Sequence, residues 1–253
     1  MNWGTHMHFD PAEIEAQPEA KAANTVTLVH LGPGLSLAGF KVCLNRNAEI
    51  FGEEEPADFL YKVVTGAVRT IRLLSDGRRQ IGAFYQPGDV FGLEHSRTHR
   101  FSAEAIVRSE IALVARAPIT RLVAHDTAAA QELSELTLRQ LDEIQDHLLL
   151  LGHKSAIERV GGFLLNLSRR RGSTAIELTM PRCDIADYLG LSLETVSRTL
   201  NQLARDGVIS LTRARRVVLC NPVALASMCA VAELHNSIPE PFQLLQLNTR
   251  KSL

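Results

Sequence analysis

The chain has 253 residues, of which 45% are hydrophobic and 22% charged, so buried cores are expected and bulk disorder is not. It has no apolar run near the ~20 residues that a membrane-spanning helix needs, and residues 1–18 lack the basic and apolar stretches of a secretory signal. Its four cysteines are far apart and form no CxxC pair, which argues against a zinc site or a disulfide framework. A cytoplasmic protein of two domains, without membrane association, is expected.

The charge is distributed unevenly along the chain. The net charge is −1, yet residues 154–222 hold 11 Lys and Arg against 6 Asp and Glu. The remainder of the chain must therefore be acidic. A basic C-terminal module beside an acidic N-terminal one is typical of proteins that bind a polyanion such as nucleic acid.

The N-terminal half is predicted to consist of a tail and a β-domain. Residues 1–24 are polar and are interpreted as a mobile tail, with a short helix at residues 11–16. Residues 25–117 contain short runs rich in Val, Ile, Leu and Thr, separated by turn signals such as Ser75-Asp76-Gly77. The predicted strands include Leu60–Thr65, Val68–Leu74, Gln80–Tyr85, Phe101–Val107 and Glu110–Arg116. This spacing predicts a β-roll or jelly-roll sensor domain.

Residues 118–152 change to a helical period. Leu141, Ile144, Leu148 and Leu151 step by 3, 4 and 3 residues, which is the spacing of a coiled-coil seam, and Leu133 and Leu136 extend it less regularly. The simpler interpretation is a single long helix packed on its own sheet. The more specific interpretation is a homodimer whose two copies pair along this seam, and we expect the dimer.

Residues 153–222 read as a winged helix-turn-helix. A helix over Lys154–Arg171 stops at Gly172, and a strand follows over Thr174–Thr179. The next helix has Pro181 at its first position, and Gly190 allows a tight turn. Ser192 is a suitable N-cap for a second helix, which should end at Asp206-Gly207. Two strands, Val208–Leu211 and Arg216–Leu219, then form a hairpin.

The second of these helices has a polar face suited to DNA. Val196, Leu200 and Leu203 point inward, whereas Glu194, Ser197, Arg198 and Asn201 form the opposite stripe near the helix N-terminus. The alternative for this stripe is a solvated helix face with an ion pair between residues 194 and 198. We expect Leu193, Glu194, Ser197 and Arg198 to read bases. The residues expected to contact phosphates are Arg182, Thr195, Arg213, Arg215 and Arg216.

These segments resemble the Crp/Fnr superfamily of bacterial regulators. The resemblance rests on DIADYLGLSLETVSRTLNQLARDGVI (residues 184–209), ERVGGFLLNLSRR (residues 158–170) and PGDVFG (residues 87–92), and it is strongest to the Fnr and FixK branches. It implies an α+β chain with a cyclic-nucleotide-binding-like β-roll, a long dimerisation helix and a winged helix. It also implies activation from a two-fold TTGA-N6-TCAA-like site in low-oxygen or nitrogen-fixation gene control. In that family a sensor-domain turn contacts RNA polymerase, and here it contains Asp76, Arg78 and Arg79.

This sequence departs from the family pattern at the positions that bind a cyclic nucleotide or an iron–sulfur cluster. These differences concern the signal that would control the regulator. Cyclic-nucleotide-binding members use an Arg-Ser pair to hold the phosphate, but this chain has Phe101-Ser102 at that place. Only Cys43 precedes residue 183, so the iron–sulfur cluster of the oxygen-sensing branch is not expected either. No cofactor is therefore predicted. The alternatives are a ligand-gated or haem-gated regulator of the same superfamily and, remotely, a cupin-type metalloenzyme.

Two further features remain open. Cys183 lies beside Arg182 in the first turn of a helix, the surroundings of reactive thiols, so it is a candidate redox residue. The alternative is an unreactive cysteine at a tolerant surface position. Residues 223–253 form an addition beyond the wing, in which Asn221-Pro222 should cap a helix that runs to about Leu234.

Overall fold

The computed structural model describes residues 21–152, 154–213 and 215–229. The chain divides into two compact units between Gln145 and Asp146, inside a long helix. The first strand begins at Lys21, so the β-domain starts earlier than the predicted residue 25. The helix predicted over residues 11–16 lies outside the described residues. Among the helices of the described ranges, none has the length and apolarity that crossing a bilayer requires.

The N-terminal unit is a β-roll of two antiparallel sheets. Its strands are β1 (Lys21–Gly32), β2 (Leu35–Leu44), β3 (Glu49–Phe51), β4 (Phe59–Thr65), β5 (Val68–Leu73), β6 (Arg79–Tyr85), β7 (Val90–Phe91), β8 (Ser102–Ala105) and β9 (Ser109–Ala115). One sheet has the order β1-β2-β9-β4-β7 and the other β3-β8-β5-β6. The strands β5 and β6 pair from Val68↔Tyr85 to Leu73↔Arg79, which confirms the predicted hairpin.

Two apolar cores lie on opposite faces of the five-stranded sheet. The core inside the roll draws on both sheets and contains Phe51, Tyr61 and Phe91. The other core joins the sheet to the helices that follow, through residues such as Val114 and Ile119. The alternation of side chains along each strand produces this arrangement, because successive residues point to opposite faces.

The helical region after the roll is broken, although one continuous helix was predicted. Helix α1 spans Arg116–Val123 and helix α2 spans Thr127–Gly152. The Asp126 carboxylate accepts hydrogen bonds from the backbone N–H groups of Ala128 (2.9 Å) and Ala129 (3.1 Å). Because an N-cap of this kind satisfies the free N–H groups of a new helix, Asp126 starts α2 rather than continuing α1.

The C-terminal unit has the predicted order of a winged helix. Its elements are α3 (Ala156–Arg171), β10 (Ala175–Glu177), α4 (Arg182–Leu189), α5 (Leu193–Arg205), β11 (Ile209–Arg213), β12 (Arg216–Leu219) and α6 (Pro222–Met228). The three strands form a sheet of order β10-β12-β11. Ser155 and Glu158 form a capping box at the start of α3, and Gly172, with φ 60°, ends it as predicted.

The helices of this unit pack closely. Val160, Leu164 and Leu167 of α3 are buried. Gly161 lets α6 approach, because a Cβ at this position would lie 2.3 Å from Cys229 Sγ. Asn221 caps α6 by accepting from Ala224 N at 2.9 Å, as predicted. The described part of α6 ends at Met228, short of the predicted end at Leu234.

Candidate nucleic-acid interface

The helix-turn-helix is built from three local signals. Pro181 has φ −69° and ψ 159°, so it is the N-cap of α4 and not its first helical residue, which corrects the prediction. Gly190 has φ 61° and ends α4, in the left-handed region where glycine is favoured. Ser192 accepts a hydrogen bond from Thr195 N at 3.1 Å, which confirms it as the N-cap of α5. The turn therefore sets the start of α5.

Helix α5 has two sharply different faces. Val196, Leu200 and Leu203 are at most 2% exposed, which confirms the predicted inward face. On the other side Glu194 and Arg198 are exposed, and Leu193 is 51% exposed. One face thus anchors the helix in the unit while the other presents charged and polar groups to an external ligand. A helix of this kind can lie in the major groove of DNA.

The contacts of the polar stripe differ from the surface ion pair that the sequence left open. Within residues 154–213, Glu194 and Arg198 form no ion pair with each other. A different contact links the two helices: Arg182 Nη1, at the start of α4, donates to Ser197 Oγ at 3.4 Å. Sequence spacing did not reveal it, because it joins residues on different helices.

The predicted wing is a hairpin with basic residues at its end. Strands β11 and β12 bring Arg213 opposite Arg216. Arg213, Arg215 and Arg216 are all exposed. Thr195 is half-buried in the first turn of α5, and its Oγ1 lies 2.9 Å from Ser192 Oγ. The structure therefore places the predicted phosphate-contact residues on successive elements of one unit.

Cys183 is exposed in the first turn of α4, where the sequence placed it. Its Sγ lies 3.8 Å from Asp184 Oδ1. An oxidant in solution can thus reach the thiol.

Phe101 lies against strand β6 of the β-roll. A Cβ on Gly82 would lie 2.9 Å from the Phe101 ring, so the ring packs against the backbone of β6. Glu94 is engaged in its own loop, where it accepts from Arg100 N at 2.9 Å and lies 3.3 Å from His99 Nδ1. An aromatic ring thus lies where nucleotide-binding relatives are expected to have an arginine.

The histidines that could suggest a metal site do not converge. His99 is 1% exposed and stacks on Phe51 with ring centroids 3.6 Å apart, whereas His95 is exposed. Over the described ranges no group of three His, Cys, Asp or Glu side chains is placed to hold a metal ion. His99 is a packed core residue of the roll.

The turn between β5 and β6 is exposed and preorganised. Asp76 accepts from Arg78 N at 3.0 Å and pairs with Arg78 Nε at 2.7 Å. The hydrogen bonds from the backbone and side chain of Arg78 lower the pKa of Asp76. Gly77 has φ 81°, which the turn requires. The loop therefore presents Asp76 and Arg78 in a fixed local arrangement, next to Arg79.

Helix α2 carries an apolar stripe that the described residues of the chain do not cover. Leu141, Ile144 and Leu148 are 47%, 57% and 64% exposed, and Leu138 and Leu149 are exposed too.

The flanking leucines of α2 serve other contacts. Leu133 and Leu136 are half-buried and pack against the core between the sheet and the helices, so part of each side chain is already covered within the chain. Leu151 is half-buried and lies next to the turn at Gly190, because a Cβ added there would be 3.8 Å from its Cδ2.

Comparisons with known proteins agree with this architecture. The chain matches the Crp-like helix-turn-helix domain over residues 158–228 and the cyclic nucleotide-binding domain over residues 41–126. The nitrogen fixation regulation protein FixK of Azorhizobium caulinodans is 48% identical over 71% of this chain and 75% of that protein. FixK of Rhizobium meliloti is 38% identical over 86% of this chain and 99% of that protein.

A solved structure of a FixK protein has a similar fold. FixK2 from Bradyrhizobium japonicum has a TM-score of 0.73 and 48% identity, and the match covers 76% of this chain and 97% of that one. The fold and its interface thus define a winged-helix transcription regulator with a β-roll domain. The chain belongs to the Crp/Fnr family, in its FixK-like branch. Because this is a family of regulators and not of enzymes, the metalloenzyme alternative is excluded.

Proposed function

We propose that the protein is a cytoplasmic transcription activator that binds a two-fold TTGA-N6-TCAA-like DNA site as a homodimer and contacts RNA polymerase. The observation that carries this proposal is helix α5, whose buried face fixes it in the unit while Glu194 and Arg198 are exposed. The names of the relatives, nitrogen fixation regulation proteins, support a role in nitrogen-fixation or low-oxygen gene control.

The chemistry of the polar stripe assigns base contacts. Arg198 carries a guanidinium fork that matches guanine O6 and N7. Glu194 accepts from the amino group of a cytosine or adenine, and the apolar Leu193 suits a thymine methyl group. Ser197 belongs to the same stripe and faces the thymine end of the half-site.

The basic residues around this stripe supply affinity. Arg213, Arg215 and Arg216 on the wing neutralise phosphates, and Thr195 donates its hydroxyl to another. Arg182 reaches the backbone from the start of α4. Contacts of this kind position the protein without reading sequence.

The exposed stripe of α2 supports the homodimer. Leu141, Ile144 and Leu148 would leave a large apolar surface in water on a single chain, and a second copy of the helix would cover it. A dimer also presents two copies of α5, which is what a two-fold site requires.

The turn at Asp76, Arg78 and Arg79 is the proposed contact with RNA polymerase. It is distant in the chain from the DNA-reading helix, it is charged, and its geometry is fixed by the Asp76–Arg78 pair. A partner would therefore meet a preformed surface.

The proposal is tested by selecting bound sequences from a random DNA pool with the full-length protein. We expect enrichment of a two-fold TTGA/TCAA site. Affinity for the selected site, and for a copy with its guanines changed, is then measured at several salt concentrations. Arg108 is an exposed arginine of the β-roll, outside the proposed DNA interface. Arg108→Ala is therefore the control for loss of a surface arginine and should bind as the wild type does. Recovery of no common sequence would contradict the proposal.

A further inference from the structure

The contact between Arg182 and Ser197 joins the two helices of the DNA-reading motif. Arg182 Nη1 donates to Ser197 Oγ at 3.4 Å, and both side chains are half-buried. Ser197 lies in the polar stripe of α5, directly before Arg198. Arg182 is the first residue of α4 and belongs to no part of that stripe. A residue outside the reading helix therefore contacts a residue within it.

The chemistry of this pair restricts what Ser197 can do. A guanidinium group has donors only, so Ser197 Oγ must act as the acceptor. A serine hydroxyl has two lone pairs and one hydrogen, and the hydrogen remains available to a different acceptor. Among the described residues, Ser197 makes no contact in which its hydroxyl serves as donor. Because the guanidinium is a cation, it attracts the oxygen of Ser197 and turns the O–H hydrogen away from itself, so the hydroxyl presents this hydrogen to a ligand.

We propose that Arg182 sets base specificity through Ser197, by fixing its hydroxyl as a hydrogen-bond donor toward the major groove. A donor selects a base edge that offers an acceptor, such as thymine O4, over one that offers an amino group. Arg182 is then a positioning residue for base reading as well as a cation near the phosphates. This inference rests on the proposed function, because it concerns the same DNA-reading surface.

The two roles of Arg182 give different results in a binding experiment. A pure phosphate contact lowers affinity for all sequences by the same factor. A positioning role changes the ratio of affinities between sequences. That ratio is not affected by the fraction of active protein, so a variant that is partly unfolded still gives an interpretable value.

The experiment measures affinities of the full-length protein for all four base pairs at each half-site position. The variants are Ser197→Ala, Arg182→Ala, Arg182→Gln and the Arg182→Ala/Ser197→Ala double variant, with Arg213→Ala on the wing as the control. Ser197→Ala should lower the preference at one base pair by about three- to tenfold per half-site, the range expected for one hydrogen bond. Arg182→Ala should lower the preference at the same base pair, and the double variant should lose no more than Ser197→Ala alone. Arg213→Ala should weaken all sequences alike.

The outcomes separate this inference from the function on which it rests. If the wild type shows no sequence preference, the proposed function fails. If the wild type is selective and both Arg182 variants keep its preferences at every position, Arg182 is only a phosphate contact and the inference is wrong. If the double variant loses preference at two different base pairs, the residues act independently and the inference is also wrong.

Discussion

At the scale of single residues, the proposed interface contains arginines in two different settings. Arg198 is exposed on α5, whereas Arg215 is exposed on the wing. Both carry the same charge, so only their positions distinguish a base contact from a phosphate contact. Substituting each of them in turn therefore tests the proposed division of roles.

Arg198→Ala should cost roughly 1–3 kcal/mol per half-site and relax preference at the guanine position. Arg215→Ala should instead weaken binding to all sequences alike and reduce the slope of log affinity against log salt by about one unit. The measurement is binding to the two-fold site and to a guanine-substituted copy over a range of salt. Unchanged discrimination by Arg198→Ala would show that the reading face is assigned wrongly.

Cys183 is a further residue that chemistry singles out, because it is exposed next to Arg182. Oxidation by peroxide to a sulfinate or sulfonate would add negative charge near the DNA phosphates and weaken binding. Peroxide should thus inhibit DNA binding by the wild type but not by Cys183→Ser. Cys220→Ser removes another exposed thiol and should remain as sensitive as the wild type. Equal inhibition of all three proteins would exclude a role for Cys183.

At the scale of elements, helix α2 serves two surfaces at once. Leu136 packs on the β-roll while Leu141 is exposed, and residues five positions apart point about 140° apart around a helix. Gln140 also ties α2 to the roll through a 2.8 Å hydrogen bond to Val90 O. The exposed stripe is therefore separate from the face that holds the helix in place.

Replacing Ile144 and Leu148 by Glu should convert the dimer to monomers, because it brings like charges together in an apolar seam. Analytical ultracentrifugation of the full-length variant gives the oligomeric state. A matched change on the other side of the helix, Glu135→Gln, removes an exposed charge and should leave the dimer intact. A double variant that still sediments as a dimer would place the interface elsewhere.

The β5–β6 turn is the second element with a separable role. Alanine at Asp76 and Arg79 should reduce transcription in vitro while DNA affinity stays as in the wild type, because the turn belongs to the β-roll. The two readouts are a reconstituted transcription assay and DNA binding with the same preparation. Loss of DNA binding would indicate that the turn supports folding instead.

At the scale of the whole molecule, the boundary between the two units falls within α2, so this helix belongs to both. After the boundary, Asp146 pairs with Arg169 at 3.4 Å. His147 stacks on Tyr188 of α4 with centroids 3.8 Å apart, and its Nε2 donates to the Tyr188 carbonyl at 2.8 Å. The last turns of α2 are thus packed into the DNA-reading unit.

This packing predicts a pH dependence of that unit. Burial lowers the pKa of His147 below its ordinary value of 6.5, so the folded unit holds it neutral while the unfolded chain takes up a proton. The stability it contributes is therefore complete above about pH 6.5 and is lost as the pH falls through the folded pKa. Amide hydrogen exchange of α3–α5 in the full-length protein measures this.

His147→Phe is the informative variant, because it keeps an aromatic ring against Tyr188 and cannot titrate. We expect a loss of about 1 kcal/mol at pH 7.5 from the missing hydrogen bond. We also expect a smaller fall in protection between pH 7.5 and 5.5 than in the wild type. An identical fall in both proteins would assign the pH dependence to other groups.

Much of this organisation was predictable from local sequence signals. The caps at Ser192 and Gly190 and the inward face of α5 follow from rules that act within one or two turns of chain. The break before α2 was missed because Asp126 lies in a helical period that continues on both sides of it. The Arg182–Ser197 contact and the packing of Phe101 on Gly82 join residues far apart in sequence, and spacing alone does not encode such contacts.

Because helix α2 belongs to both units, it determines where the C-terminal unit can be cut from the chain for use in a fragment or a chimera. A fragment cut at residue 153, where the sequence predicts a domain border, discards the Asp146–Arg169 pair and the ring of His147 that stacks on Tyr188. A fragment cut at Asp126 keeps both, together with the N-cap of α2 and the leucines proposed to bring two copies together. For a chimera that joins this reader to a foreign sensor, the better junction is accordingly the Asp126 cap.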